Sequence, residues 1–191
     1  MKKAFTIVEI SILAVILLIV ACLIIPFAID DTRQAAHVLE WRALQDRISQ
    51  AFTATKIYGE SDNSKLEEYI MKSISDEIYT KISPYKIKYL NGRPATGIGN
   101  FQNVYAIGED NVIGFKWFDE HFETQKGIMF YDINGKKGPN RWGKDVFGIN
   151  IYEDSVQPLC SKKQHQEIKD DCSKTGTGCC CSYYYLVGGN F

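Results

Sequence analysis

From Phe5 to Ile29 nearly every position is apolar; Glu9 is the one charge, and Ser11 is the one hydroxylated residue between Ile10 and Ile25. A helix rising ~1.5 Å per residue needs about 20 residues to cross a hydrocarbon core of ~30 Å, and Phe5–Ile25 supplies that length. Lys2 and Lys3 precede the run, and Asp30 and Asp31 follow it. This asymmetry predicts a cytoplasmic basic end, with everything after Asp30 on the other side. Beyond Asp30 the apolar positions become periodic. Val38, Trp41, Leu44, Ile48, Ala51, Phe52 and Thr55 recur at three- and four-residue steps, with Arg33, Gln34, Glu40, Arg42, Gln45, Asp46 and Arg47 on the opposite face. Gly59 and Ser61-Asp62-Asn63-Ser64 stop the pattern. The reading is one helix from Phe5 to about Tyr58, half in membrane and half in a soluble domain. Pro26 removes one backbone donor inside it and predicts a kink or a loosened turn.

A second helical pattern, Leu66, Tyr69, Ile70, Ile74, Ile78 and Ile82, spans residues 64–83. Ser64 is its predicted N-cap, Glu67 completes a capping box, and Pro84 ends it. Asn91-Gly92 and Gly97–Asn100 then mark turns. Val104–Ile107, Val112–Phe118, Gly127–Ile133 and Asp145–Tyr152 are short β-branched and aromatic runs, predicting an antiparallel meander within residues 100–152. The predicted fold class is α+β: a long N-terminal helix whose soluble half (30–58) packs on a small antiparallel sheet, followed by a cysteine-rich C-terminal segment (153–191). In that segment Tyr183–Val187 reads as a last strand or surface stripe.

Composition narrows the function. The 191 residues carry 22 Lys+Arg against 23 Asp+Glu, which excludes a globally basic nucleic-acid binder and a polyacidic tail. Eleven Tyr and ten Phe argue for a packed core. No Gly-x-Ser-x-Gly, phosphate-binding glycine loop or His-Glu-x-x-His is present. Asp119-Glu120-His121 groups titratable residues, but a solvated turn accounts for it. No enzyme activity is predicted.

Five of the six cysteines, Cys160, Cys172, Cys179, Cys180 and Cys181, lie near the C-terminus. Outside the cytoplasm they favour disulfides, and an odd number leaves one thiol unpaired or bonded to another chain. Cys160 with Cys172 would close a short loop; either could instead join one of the three consecutive cysteines. A zinc set of Cys160, His165, Cys172 and Cys179 lacks a C-x2-C knuckle. The segment Asp132–Asp145 opens Asp-x-Asn-Gly, as calcium loops do, but the twelfth position from Asp132 is Gly143 where an EF-hand needs Glu. Its other reading is a hairpin connection whose Asp and Asn bond their own backbone. Lys136, Lys137, Arg141 and Lys144 load the loop with charge suited to phosphates or anionic surfaces.

Three readings compete for the N-terminus. A secretory signal peptide would have too long an apolar core and would contain a carboxylate. A lipoprotein signal is suggested by Ile19-Val20-Ala21-Cys22, yet an apolar stretch rather than a polar tether follows the cysteine. The third reading explains Glu9. A charged side chain within a membrane helix costs roughly 2.5–3.5 kcal/mol at the bilayer centre and calls for a partner. A free amino group at Phe5 would supply one.

Lys2-Lys3-Ala4-Phe5-Thr6-Ile7-Val8-Glu9, then an apolar run containing Pro26, resembles the class III signal of type IV pilins and type II secretion pseudopilins. The resemblance covers residues 2 to 30 and departs at Ala4, where Gly is usual, and at Ile7, where Leu is common. It implies a leader (1–4) cut by prepilin peptidase between Ala4 and Phe5, N-methylation of Phe5, and a membrane and assembly helix (5–29). Glu9 would pair with a neighbouring subunit's terminus, and Pro26 would kink the helix. It implies a soluble head (30–191), an inner-membrane anchor in the lipid bilayer before assembly, an assembly platform, and related pilin subunits as partners in a periplasmic or extracellular filament. A disulfide-stapled C-terminal loop fits the same family. So does a calcium site in a head loop, which makes Asp132, Asn134 and Asp145 candidate ligands by resemblance. The alternative is a signal-anchored or lipidated envelope protein with a ligand-binding head.

Overall fold

The computed structural model describes residues 6–57, 62–74, 79–96, 101–108, 110–118 and 125–189. Its chain divides into two units, one up to Ala36 and one from His37 onward. Helix α1 (Ile7–Ile57) begins in the first unit and ends in the second, and Pro26 lies inside it with helical residues on both sides. This helix is long and apolar enough near the N-terminus to cross a membrane.

In the first unit the large apolar side chains from Ile7 to Ile25 are 44–86% exposed, so they have no protein core to enter. Residues 37–57 behave in the opposite way. Val38, Trp41, Leu44, Ile48, Ala51, Phe52 and Thr55 are buried, as their spacing predicts.

They pack on a six-stranded antiparallel sheet whose strands lie in chain order. The strands are β1 (Tyr79–Lys81), β2 (Asn103–Ile107), β3 (Asn111–Trp117), β4 (Gln125–Asp132), β5 (Val146–Tyr152) and β6 (Val156–Pro158). The expected meander is therefore present and gains a three-residue strand at each edge. One face of the sheet, with Ile107, Ile113, Phe115, Met129, Tyr131, Phe147, Ile149 and Ile151, joins α1 in the main core. The other face contributes Val104, Val112, Phe130 and Val146 to a second core with Ile87, Phe101, Trp142 and Leu159. The two sets alternate along the strands, as a sheet covered on both sides requires. Gly114 makes room for the ring of Phe130 on the neighbouring strand: a Cβ there would lie 1.9 Å from it.

Two sequence expectations need correction. The second helix, α2, spans Asn63–Ile74 rather than 64–83, because Tyr79–Lys81 pairs antiparallel with β2 instead of continuing a helix. The capping box is also absent. Asp62 accepts the backbone N–H (3.3 Å) and the hydroxyl (2.5 Å) of Ser64. Glu67 turns inward, only 4% exposed, and accepts from Asn103 Nδ2 at 2.8 Å, Tyr105 Oη at 3.1 Å and Trp117 Nε1 at 2.5 Å. Its carboxylate pins α2 to the sheet, and the three donors offset the cost of burying it.

Candidate functional site

Three places carry the residues that sequence reasoning singled out. The first is the start of α1. Ala4 and Phe5 lie outside the described residues. Glu9 is exposed and accepts hydrogen bonds from the Thr6 N–H at 2.8 Å and the Thr6 hydroxyl at 2.9 Å. Thr6 thereby orients the carboxylate at the end of the helix where unpaired N–H groups concentrate positive charge. Cys22 is an exposed free thiol among apolar neighbours.

The second is the loop between β4 and β5. It brings Asp132 and Asp145 together, both fully buried. Asp132 accepts from the Tyr85 hydroxyl at 2.6 Å and the Asn134 N–H at 3.3 Å. Asp145 accepts from the N–H groups of Asn140 at 2.7 Å and Arg141 at 2.6 Å. Burial pushes the Asp132 carboxyl up to about 8; the Tyr85 hydrogen bond opposes that shift and the charge of Asp145 adds to it. Burial also raises Asp145, against the pull of the Arg141 and Asn140 N–H groups. Gly135, at φ +54°, allows the turn to pass the Asp110 carbonyl, which a Cβ would approach to 2.4 Å.

These residues meet the calcium expectation only in part. The Asn134 and Asn140 side-chain oxygens are buried without a donor, as ligands awaiting a cation would be. Arg141 Nε and Trp142 Nε1 are buried without an acceptor in the same loop. A water can serve both kinds of atom and a cation only the first. All four carboxylate oxygens of the pair already take protein donors. Among the described residues no group of three or more His, Cys, Asp or Glu could hold a metal. The donor set does not build a calcium site of six to eight oxygens; the two aspartates serve as acceptors that hold the loop, the role of the hairpin reading.

The third place is the tail. Cys160 bonds Cys180 and Cys172 bonds Cys181, with Cα–Cα distances of 5.1 and 4.9 Å; Cys179 is buried and free. Both outer cysteines thus join the consecutive trio, not each other. The zinc set is overturned, since two of its sulfurs are consumed in disulfides. Burial raises the Cys179 thiol to about 11, which keeps it protonated and inert. The Asp171 carboxylate organises the turn, accepting the Thr177 N–H at 3.0 Å, the Thr177 hydroxyl at 2.5 Å and the Cys180 N–H at 2.8 Å.

Tyr183–Val187 is not a strand. Helix α3 (His165–Asp171) precedes the cysteine turn, and a short helix, α4 (Cys181–Tyr184), follows it. There the Ser182 carbonyl accepts from Trp41 Nε1 at 2.8 Å, and the Ser182 hydroxyl accepts from the Gly148 N–H at 2.9 Å. Arg42 donates through Nε (2.9 Å) and Nη2 (2.6 Å) to the Tyr185 carbonyl. The tail is thereby fastened to the soluble half of α1 and to β5. Nothing local in the sequence marks Ser182, Asp171 or Arg42 for these roles. Asp119, Glu120 and His121 lie outside the described residues.

No family model matches the chain. No curated protein matches it. No solved structure matches it either.

Proposed function

We propose that this chain is a structural subunit of a type IV pilus or a type II secretion pseudopilus, processed at Ala4–Phe5 and polymerised through the first half of α1. One observation carries the reading. A single helix places uncovered apolar side chains on its first half and core residues of the α+β head on its second. A bilayer or a set of identical helices would cover the first half. Within that half Ala14, Ala21 and Ala28 recur every seven residues, which keeps small side chains on one side of the helix, where a neighbouring helix could approach closely. Leaving lipid for protein neighbours gains little hydrophobic free energy, so packing and the pairing of Glu9 with a neighbour's new amino terminus would set the register. The role requires no catalysis.

The test is twofold. The intact mass of the mature chain is expected to match a methylated Phe5 terminus; a diacylglyceryl Cys22 or an uncut Met1 would instead establish the anchored or lipidated envelope protein. Glu9→Ala is expected to insert in the membrane and to fail to assemble. Normal filament yield from that variant would end the proposal.

A further inference from the structure

The two edges of the sheet are finished differently. At one edge β6 pairs with β5, the Leu159 N–H donating to the Gly148 carbonyl at 3.0 Å and the Tyr152 N–H to the Ser155 carbonyl at 2.8 Å. Residues of an antiparallel strand alternate between turning their main-chain groups toward the partner strand and turning them away. Those bonds leave Val156 and Pro158 turned away. Pro158 has no N–H to offer, and its carbonyl already accepts the Ser161 N–H at 3.2 Å. A proline at this position closes the edge to a further strand.

The other edge is open. The Ile82 N–H donates to the Val104 carbonyl at 2.9 Å, in register with the β1–β2 pairs Tyr79–Ile107, Thr80–Ala106 and Lys81–Tyr105. By the same alternation Thr80 turns its N–H and carbonyl toward β2, and Tyr79 and Lys81 turn theirs away. These outward main-chain groups have no hydrogen-bond partner among the described residues, and the whole strand is exposed. An edge in this state is a template for another strand, and a projecting lysine is one common way of barring it. Lys81 turns back instead, its Nζ donating to Asn103 Oδ1 on β2 at 3.0 Å. The Tyr79 ring also leans onto its own sheet, meeting the Tyr105 ring edge-on at 5.8 Å.

We propose that two copies of this chain join their β1 strands, antiparallel and across a two-fold axis, into one continuous sheet. The identity of the partner follows from the contrast between the edges. With β6 closed, the edge that a second copy offers among the described strands is its own β1. Like edges meet across a two-fold axis, so the pairing closes at a dimer. Centred on Thr80, it sets Tyr79 of each copy opposite Lys81 of the other, and each outward N–H meets an outward carbonyl. Thr80 faces Thr80, a favourable cross-strand pair, and the apolar stem of Lys81 lies beside the other copy's Tyr79 ring. So short an edge makes a weak, concentration-dependent dimer. The inference concerns the head alone and does not rest on the filament reading.

The experiment uses the full chain in a neutral detergent and carries Cys22→Ser, which leaves no exposed thiol among the described residues. Thr80→Cys is added, because residues facing each other at this kind of antiparallel position are close enough for a disulfide. Glu167→Cys, at an exposed position on α3, is the control for chance collisions in a shared micelle. After mild oxidation, Thr80→Cys is expected to give several times more covalent dimer than the control, in a yield that rises with protein concentration. Peptide mapping is expected to locate the bond between the two substituted positions. Adding Lys81→Pro removes an outward N–H that β2 does not use, a change an edge strand tolerates. It deletes one hydrogen bond per protomer and is expected to weaken the dimer by at least about tenfold with the head still folded by circular dichroism melting. Tyr79→Pro removes the other outward N–H and gives a second reading of the same loss. Cross-linking of Thr80→Cys no greater than that of the control, or cross-linking unchanged in a folded proline variant, would overturn the proposal.

Discussion

The two halves of α1 obey the same helical geometry and opposite burial rules. From Ile7 to Ile25 large apolar residues occupy all sides of the helix and stay exposed; from Val38 to Thr55 all but Leu39 occupy one stripe and disappear into the head. The difference teaches that a periodic stripe signals a protein neighbour on one side, whereas an unbroken apolar run signals an environment that is apolar all round. The largest test of this contrast is Trp41→Ala set against Leu18→Ala. Trp41 is fully buried, stacks on Phe147 at 5.1 Å and donates to Ser182. Its truncation is expected to cost the head about 3–5 kcal/mol in urea unfolding. Leu18→Ala is expected to leave that transition in place; a comparable loss there would mean that the exposed half contributes to the folded head.

A smaller effect separates the tail's covalent and non-covalent fastenings. Replacing Cys172 and Cys181 together by Ser removes one closed loop and is expected to cost about 2–3 kcal/mol on the chain-entropy model. A loss below about 1 kcal/mol would show that the contacts of Trp41, Arg42 and Ser182 hold the tail without that bond.

The pH response of the head is smaller again. Folded Asp132 keeps its proton up to about pH 8, well above the ordinary range of an unfolded aspartate. The folded state therefore binds more protons between these limits, and stability falls as pH rises through the window. Asp132→Asn is expected to flatten that slope and to raise stability at pH 8 by on the order of 1–2 kcal/mol, with little change at pH 4. Identical melting profiles across pH would remove the buried proton from the account. The smallest expected effect is that of calcium. Millimolar calcium should move the melting temperature by less than about 1 °C, whereas a saturable rise of several degrees would establish a bound cation.

Much of the fold was legible because it is periodic. All seven apolar-face positions from Val38 to Thr55 are buried, and the four central strands fall within two residues of their β-branched and aromatic runs. The edge strands were not legible. Tyr79–Lys81 and Val156–Pro158 are too short to establish a period, and their strand character comes from neighbours distant in sequence. Tyr183–Val187 misled because its aromatic and β-branched residues favour strands. Here the disulfide at Cys181 and the grip of Trp41 and Arg42 impose a helical turn on the start of the run and override propensity. Glu67 failed as a cap for a similar reason, since three donors on β2 and β3 compete for it and Asp62 stands ready at the helix start. The candidate residues of the tail and of the 132–145 loop were recognisable by type. Their pairing was not, because disulfide partners and acceptor roles depend on distances that residue spacing does not encode.

The run of three sulfurs at Cys179–Cys181 poses a sorting problem during maturation. Each member begins as an equivalent thiol, yet the finished molecule uses the last two and encloses the first in the second core. Correct oxidation must therefore keep pace with closure of that core, because an early bond at Cys179 would draw the wrong sulfur outward and shift the whole turn by a residue. Pulse labelling with a thiol-alkylating reagent should find Cys179 reactive in newly made chains and silent in completed ones. In the finished molecule the surplus thiol is enclosed, and only Cys180 and Cys181 meet the sulfurs of Cys160 and Cys172.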